Sequence, residues 1–241
     1  MTGPSDSAGT PWQARELSPS GFESDDGAAD PALLAVLASP PDDATLVRAV
    51  RAARLVVPVV AAPTEVDTSG EHAVETSVEM AAVTLVAPDG RRALPVFSGV
   101  DALRAWDSRA RPVPVTAPRA GQAAITEGCD VVVVDVAGPT TRVLRSSMVW
   151  AIALDREWVP AHTDPFVVRA VAVAAGGEPD VQAHEVEEGD PVGEGVLRVV
   201  LHLRAGLGPD TVRAVATRIG ERLATDGELR ARVDGISFTV R

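Results

Sequence analysis

The chain has 241 residues, of which 46% are hydrophobic and 23% charged, enough for one large or two small domains with buried cores. Its formal net charge of −12 argues against general affinity for nucleic acid, because phosphates bind where basic side chains cluster. Lysine and tyrosine are both absent. Their absence excludes enzymes that depend on a Schiff-base lysine, a phosphate-loop lysine or a tyrosine acid.

The compartment is inferred from apolar runs and cysteine usage. No apolar run approaches the roughly 18 residues that a membrane-spanning helix needs, and the first 30 residues have neither the basic start nor the apolar stretch of a secretory signal. We therefore expect a cytoplasmic protein that does not cross a membrane. The single cysteine, Cys129, excludes an internal disulfide, and its place before an apolar run indicates a small buried residue rather than a reactive thiol.

The N-terminal third predicts a tail and two helices. Residues 1–29 are rich in Gly, Ser, Pro and acids, which predicts a disordered tail. Asp30-Pro31 is typical of a helix start, and Asp42 or Asp43 can open a second helix. One face of that second helix carries arginines three residues apart, either a solvated face or, less favoured, an anion site: Arg48, Arg51 and Arg54.

A buried strand and an acidic segment follow. Leu55 to Ala61 is apolar and β-branched, which predicts a strand, and Pro58 favours an edge position or a bulge. The stretch from Pro63 to Glu79 is acidic and aperiodic, so we expect a long loop. Its spacing matches no known oxygen-ligand loop, and we predict no metal site there.

Met80 to Trp106 predicts a strand-turn-strand-helix unit. Two apolar strands are joined by Pro88-Asp89-Gly90, where glycine supplies the positive φ that the reversal needs. Ser98 is then predicted to cap a helix, with Asp101 at the capping-box position. The turn residues, the cap residue and the spacing of the apolar residues all predict the same unit.

The remaining elements predict an α+β protein with two lobes. Further strands and helices complete an N-terminal mixed α/β domain with a central sheet, in which Ser146 caps a helix that runs through Leu154. We place the domain boundary in the segment from His162 to Pro165, giving an N-terminal domain of residues 30–162 and a C-terminal domain of residues 163–241. The second has the order helix, strand, strand, helix, strand, enough for a smaller α+β lobe.

Met80 to Trp106 resembles the core signature of the SseB family, through its Gly-Arg-Arg-x-Leu-Pro-Val-Phe stretch and the late Trp of the following helix. Further similarity lies in the strand from Gly128 to Asp135 and in the segment from Arg156 to Pro160, so the resemblance covers roughly Leu46 to Ala161. The second lobe resembles actinobacterial-type members only in its arrangement. The resemblance implies an α/β N-terminal domain, a smaller C-terminal one and no established catalytic activity.

No constellation of residues that performs chemistry is recognisable in the sequence. The four histidines are scattered, no Gly-x-Ser-x-Gly motif is present, and Gly193-Glu194-Gly195 precedes a strand rather than opening a helix. Asp130 and Asp135 bracket one strand about 16 Å apart, at roughly 3.3 Å per residue, too far apart to act as a paired acid and base. We therefore predict neither a catalytic residue nor a cofactor.

These observations favour a non-enzymatic cytoplasmic accessory protein that presents a surface of its N-terminal domain to an unknown protein partner. The alternative is a small-molecule or anion sensor, or an unrecognised enzyme, that uses the strand-end arginines. The aromatic residues are either part of a recognition groove or large core fillers. The candidate interaction surface consists of six residues: Arg91, Arg92, Phe97, Trp106, Trp150 and Trp158.

Overall fold

The computed structural model describes residues 21–62 and 79–241. Eight helices lie within this part of the chain: α1 Pro31–Leu37, α2 Asp43–Ala52, α3 Val100–Trp106, α4 Ala117–Thr126, α5 Ser146–Ala153, α6 Pro165–Gly176, α7 Pro209–Thr225 and α8 Gly227–Arg230. Ten strands lie there as well: β1 Arg54–Ala62, β2 Glu79–Ala82, β3 Leu85–Val86, β4 Arg92–Val96, β5 Arg111–Thr116, β6 Val131–Val134, β7 Arg142–Leu144, β8 Val181–Glu188, β9 Val196–Leu203 and β10 Gly235–Val240. The prediction of an α+β fold is confirmed.

The first two helices begin where the sequence predicts. The Asp30 carboxylate accepts hydrogen bonds from the first N–H groups of α1, and Pro31 takes the first helical position, where no N–H is needed. The Asp42 carboxylate accepts the Thr45 N–H at 2.9 Å and caps α2 in the same way. The acidic segment predicted as a loop and considered for metal binding lies, except for Glu79, outside the described residues.

The edge position predicted for Pro58 is wrong, because β1 is the central strand of the sheet β2-β1-β5. On one side Pro58 lies opposite Pro112 of β5, where neither residue has an N–H to donate. On the other side β1 changes partner: Val56 is bridged to Phe97, and pairing with β2 begins only at Val59. Pro58 therefore fits an interior strand at a point where its missing donor is not required.

The strand predicted from Met80 to Ala87 is divided between two sheets. Its first half, β2, pairs with β1, whereas its second half, β3, forms the predicted hairpin with β4. The Val83 N–H donates to the Pro58 carbonyl at the point of division. Gly90 has the predicted positive φ, +86°. The described part of the N-terminal lobe thus contains two sheets instead of the single central sheet that the sequence predicted.

The second sheet has the order β3-β4-β6-β7, with β4 and β6 parallel. An aspartate joins these two strands at each end. The Asp130 carboxylate accepts the Arg92 N–H at 2.7 Å before the strands, and the Asp135 carboxylate accepts the N–H and the hydroxyl of Ser98 beyond them, both at 2.8 Å. The prediction that Ser98 caps α3 is therefore wrong: the N-cap is Gly99, and no side chain makes the cap bond.

The core of the N-terminal lobe lies between the four-stranded sheet and helices α1, α2, α4 and α5. The inward residues of β4 and β6 pack there with apolar residues from all four helices. Leu33, Leu94, Val134 and Met148 are each fully buried within it. A smaller cluster forms around Phe97 and Leu103, under α3.

The C-terminal lobe has the predicted order with one addition, the short helix α8 after α7. Its sheet is β10-β9-β8, in which β8 and β9 form an antiparallel hairpin and β10 pairs parallel to β9. Asp164 caps α6 through the Phe166 N–H at 2.8 Å. Helices α6 and α7 enclose a second core with the inward side of β9, which includes Leu197, Val199 and Leu201.

Residues 21–29, which the sequence assigned to the tail, make specific contacts. The Asp25 carboxylate forms an ion pair with Arg54 at 2.8 Å, and the Gly27 carbonyl accepts the Val100 N–H at 2.9 Å. This segment thus lies against α3 and the start of β1. In the described part of the chain, no helix is both long enough and apolar enough to cross a membrane.

Candidate functional site

The two lobes meet at Asp234, which lies immediately before β10. Its carboxylate reaches the first turn of α5 in the N-terminal lobe, where Oδ1 accepts the Ser147 N–H at 2.7 Å and Oδ2 accepts the Ser147 hydroxyl at 2.8 Å. An acceptor at this position satisfies one of the free N–H groups at a helix start, and its negative charge suits the helix dipole. Ser146, the predicted cap, makes no cap bond, since the N-cap of α5 is Arg145. Asp234, a residue of the other lobe, therefore caps this helix.

Arg145 extends this contact into a charged cluster. Its Nε donates to Asp234 at 3.1 Å and its Nη2 donates to Asp43, at the start of α2, at 2.6 Å. The arginine side chain is only 17% exposed. Burial alone would lower the pKa of Arg145, but the two carboxylates outweigh burial and raise it. Arg145 is therefore a fixed cation shared by both lobes.

Two further contacts hold the junction. The Trp158 Nε1–H donates to the Ser147 hydroxyl oxygen at 3.0 Å, which fixes the position of the indole ring. The Arg156 Nη2 donates to the Ala231 carbonyl of the C-terminal lobe at 2.7 Å. Burial, and secondly the charge of Arg232, lowers the pKa of Arg156.

The hairpin between β8 and β9 packs against this cluster at Gly195. Gly195 has a φ of +73°, and a Cβ at this position would collide with the Asp234 carboxylate and approach the Arg145 Nε to 2.9 Å. Only glycine allows the hairpin backbone to come so close. The Gly193-Glu194-Gly195 stretch, which precedes β9, is therefore part of the interface between the lobes.

A cavity of about 420 Å³ lies over the junction. The N-terminal lobe lines it with the start of α2, Ser147 and Trp158, and the C-terminal lobe with Glu188, the 193–196 turn and Arg232. This volume is within the range of small-molecule sites, which occur preferentially at domain interfaces. We regard this interlobe cavity as the candidate functional site.

The bonding within the cavity does not resemble an activated nucleophile. The Ser147 hydroxyl donates to Asp234 and accepts from Trp158, so both roles of the hydroxyl are occupied by groups that are not histidine. His162 lines the same cavity, but in the described structure its ring has no hydrogen bond or ion pair. The arrangement holds the lobes together and leaves the rest of the cavity wall free to contact a ligand.

A second surface feature is the outer face of the four-stranded sheet. The inward positions of β4 and β6 are buried in the core, and the outward positions, one residue out of phase, are all apolar. Across the strands, Pro95 lies beside Val133 and Val133 beside Val143, and Val143 is 50% exposed. A solvated sheet face normally carries polar residues, so we define five apolar residues as the outer valine face: Ala93, Pro95, Val131, Val133 and Val143. Of these, Pro95 is buried, Ala93, Val131 and Val133 are half-buried, and Val143 is exposed.

The structure places the predicted arginines away from the interlobe cavity. Arg91 is 69% exposed and pairs with Asp89 inside the hairpin turn at 2.7 Å. Arg92 is exposed at the start of β4, and its backbone, rather than its guanidinium, joins Asp130. Neither arginine lines the cavity between the lobes.

The four predicted aromatic residues belong to different parts of the lobe. Phe97 is fully buried and packs against the half-buried Trp106, with ring centroids 5.4 Å apart. Trp158 packs at the edge of the main core and lines the interlobe cavity. Trp150 is half-buried on α5. Phe97 thus fits the core-filler interpretation, whereas Trp158 is placed to contact a ligand.

Cys129 is half-buried before β6 and packs against the main core. Burial raises the pKa of its thiol, which opposes the formation of the reactive thiolate. Cys129 is thus less buried than predicted, whereas its raised pKa is consistent with the prediction that it is not a reactive thiol.

Sequence reasoning missed the residues that build the junction: Asp234, Arg145 and Ser147. Ser147 and Asp234 are 87 residues apart, and no local pattern connects them. The only local signal was the pair of glycines in the β8–β9 turn, which marked a close backbone approach without showing what it approached.

The fold and the junction define a two-lobed α+β protein with a charged cavity between an SseB-like lobe and a smaller one. A comparison with protein-family models matches residues 31–151, just over half of the chain, to the SseB protein N-terminal domain. The chain therefore belongs to the SseB family, and the predicted resemblance is confirmed. The match does not extend into the C-terminal lobe, so the likeness to actinobacterial-type members stays a prediction. A search of curated proteins and a search of solved structures found no match.

Proposed function

We propose that this chain is a non-enzymatic cytoplasmic accessory protein that binds another protein through the outer valine face of its N-terminal lobe. Membership of the SseB family favours an accessory role. The observation that carries the proposal is the uninterrupted apolar character of that face, from Ala93 through Val131 and Val133 to Val143.

The physical argument concerns the parallel pair in the middle of the sheet. Parallel strands are usually covered on both faces, because their crossover connections place helices there. Here α4 and α5 contact one face, and the outward valines of β6 remain half-buried. An apolar face of this kind typically marks a protein-binding surface, since its burial is favourable by roughly 25 cal/mol per Å². The partner that fits it presents an apolar, uncharged surface.

The test uses two exposed valines from different lobes. Val143→Lys places a charge at the edge of the outer valine face, and Val173→Lys places the same charge on α6, where the valine is 74% exposed. Both sites are open enough to keep the fold intact. We expect a lysate pull-down with wild-type protein to enrich a partner that Val143→Lys loses and Val173→Lys retains.

Light scattering of the purified protein separates two kinds of partner. If wild-type protein self-associates and Val143→Lys does not, the partner is a second copy of this chain. The proposal is wrong if the two lysine variants enrich the same proteins to the same extent and have the same mass in solution.

A further inference from the structure

The interlobe cavity has more carboxylates than cations around it. Arg145 lies between Asp43 and Asp234, so this group carries one excess negative charge. The second arginine in the wall, Arg232, is likewise shared between two carboxylates, those of Asp164 and Glu228. Both arginines of the wall are therefore engaged by carboxylates. The charge of Arg156 also acts on Asp164 and Glu228, so the excess negative charge lies at Asp43 and Asp234.

Two more carboxylates in the wall have only uncharged partners. Asp42 accepts the N–H and hydroxyl of Thr45, and Glu188 accepts the Gly193 N–H at 3.0 Å. These bonds stabilise the charged form of each carboxylate without neutralising it. For Asp42 the effect is visible as a lowered pKa, caused first by the Thr45 N–H. The cavity wall is therefore negative, which disfavours phosphates and carboxylates and favours a cation.

The third feature of the wall is the ring of Trp158, held in place by its bond to Ser147. Tryptophan is the best aromatic partner for a cation, and a fixed, half-buried ring loses little entropy when a ligand packs against it. A carboxylate-rich wall and a fixed indole in one cavity are complementary to a molecule that has both a positive charge and an apolar body.

We propose that the interlobe cavity binds a small organic cation, an ammonium or guanidinium compound, with its charge toward Asp42 and Glu188 and its apolar part against Trp158. The cavity of about 420 Å³ accommodates a molecule of this kind. Because residues of both lobes line the cavity, the ligand contacts both at once. This site is separate from the outer valine face. The small molecule would therefore bind between the lobes and not at Arg91 or Arg92.

The experiment follows the four indole N–H signals of the full-length protein by NMR, with the Trp158 signal assigned by its loss in Trp158→Phe. Three probes share a benzyl or phenyl body and differ in charge: benzylammonium, benzyl alcohol and benzoate. We expect benzylammonium to shift the Trp158 signal saturably, with at least tenfold weaker binding of the other two. Magnesium chloride serves as an inorganic-cation arm, and we expect it to leave the signal unshifted.

Matched variants test the role of charge. Both Glu188 and Glu194 are exposed, but only Glu188, at the end of β8, lines the cavity. Glu188→Gln therefore removes a cavity carboxylate, whereas Glu194→Gln removes a carboxylate from the following loop that does not line it. We expect a three- to tenfold loss of benzylammonium affinity for the first and no change for the second. Val143→Lys should bind the probe like wild type. Equal binding of benzoate, an equal effect of the two glutamine variants, a shift with magnesium, or no shift with any organic probe would each overturn the proposal.

Discussion

The carboxylate of Asp234 in the C-terminal lobe accepts both the N–H and the hydroxyl of Ser147 in the N-terminal lobe, at 2.7 and 2.8 Å. A single side chain therefore caps the start of a helix in one lobe and joins that helix to the other lobe. Because Asp234 also binds Arg145, the junction combines a helix cap with an ion pair, and both depend on one carboxylate.

Replacement of Asp234 by alanine should destabilise the protein strongly. The Asp234 side chain is only 9% exposed, and its loss leaves Arg145 with one fewer carboxylate and Ser147 without its acceptor. We expect a loss of about 2–4 kcal/mol in the free energy of unfolding, measured by urea denaturation. Asp234→Asn keeps an oxygen acceptor for the Ser147 N–H and should lose less.

Asp210→Ala is the control for this substitution, since Asp210 is 97% exposed and pairs only with Arg213 on the same helix. Exposed pairs of this kind contribute little to stability. Equal unfolding midpoints for the two alanine variants would show that the Asp234 contacts do not stabilise the junction.

Gly195→Ala tests how closely the β8–β9 hairpin approaches the junction. Gly193 and Gly195 both have positive φ, +84° and +73°, so alanine at either position encounters backbone strain of about 1–2 kcal/mol. Only at Gly195 would the added Cβ also meet Asp234 and Arg145, because the space around Gly193 is open. We expect Gly195→Ala to unfold with a further loss of about 1–3 kcal/mol relative to Gly193→Ala. Equal losses would contradict the close approach.

Ser98 and Ser146 were both predicted as helix caps, and the structure assigns neither to that role. Ser98 is 2% exposed and its hydroxyl donates to the buried Asp135, whereas Ser146 makes no cap bond. Ser98→Ala should therefore cost about 1–3 kcal/mol, since it removes a donor from a buried carboxylate. Ser146→Ala should change stability by less than about 0.5 kcal/mol. If both were caps, thermal or urea unfolding would show a similar loss of about 1 kcal/mol for each.

These serines illustrate what local sequence can predict. The turn at Gly90 and the caps at Asp30 and Asp42 follow from neighbouring residues, and the structure confirms them. Ser98 has the local pattern of a cap as well, but a stronger acceptor comes from Asp135, 37 residues away. Rules based on neighbouring residues do not take account of an acceptor that is distant in sequence.

The sheet arrangement was also beyond local patterns. Apolar alternation predicted most strands, yet it does not state which strands pair, and the parallel neighbours β4 and β6 are separated in sequence by α3, β5 and α4. Pro58 shows the same limit, because whether a proline fits an interior strand depends on where its neighbours begin. Residues of both lobes line the interlobe cavity, and no local pattern shows how the lobes pack, so the cavity could not be predicted.

Glu178 makes the stability of the C-terminal lobe depend on pH. It lies after α6, is 4% exposed, and pairs with Arg218 and Arg222 of α7 at 2.6 and 2.7 Å. The hydrogen bond from Arg218, more than any other contact, holds the pKa of Glu178 below its ordinary value of 4.5. A carboxyl whose pKa is lower in the folded state stabilises the fold above its unfolded pKa, and this stabilisation is lost as pH falls through the folded pKa.

Glu178→Gln should therefore be less stable than wild type at pH 7. The difference should shrink as pH falls below about 4.5 and through the lower pKa of the folded carboxyl, where that carboxyl takes up a proton. Urea denaturation at pH 7 and at pH 3 measures both differences. Glu194→Gln is the control for this substitution, because Glu194 lies in an exposed loop and its side chain has no arginine partner in the described structure. If wild type and Glu178→Gln differ by the same amount at both pH values, the two arginines do not stabilise the ionised form, and the contact between α6 and α7 depends on packing alone.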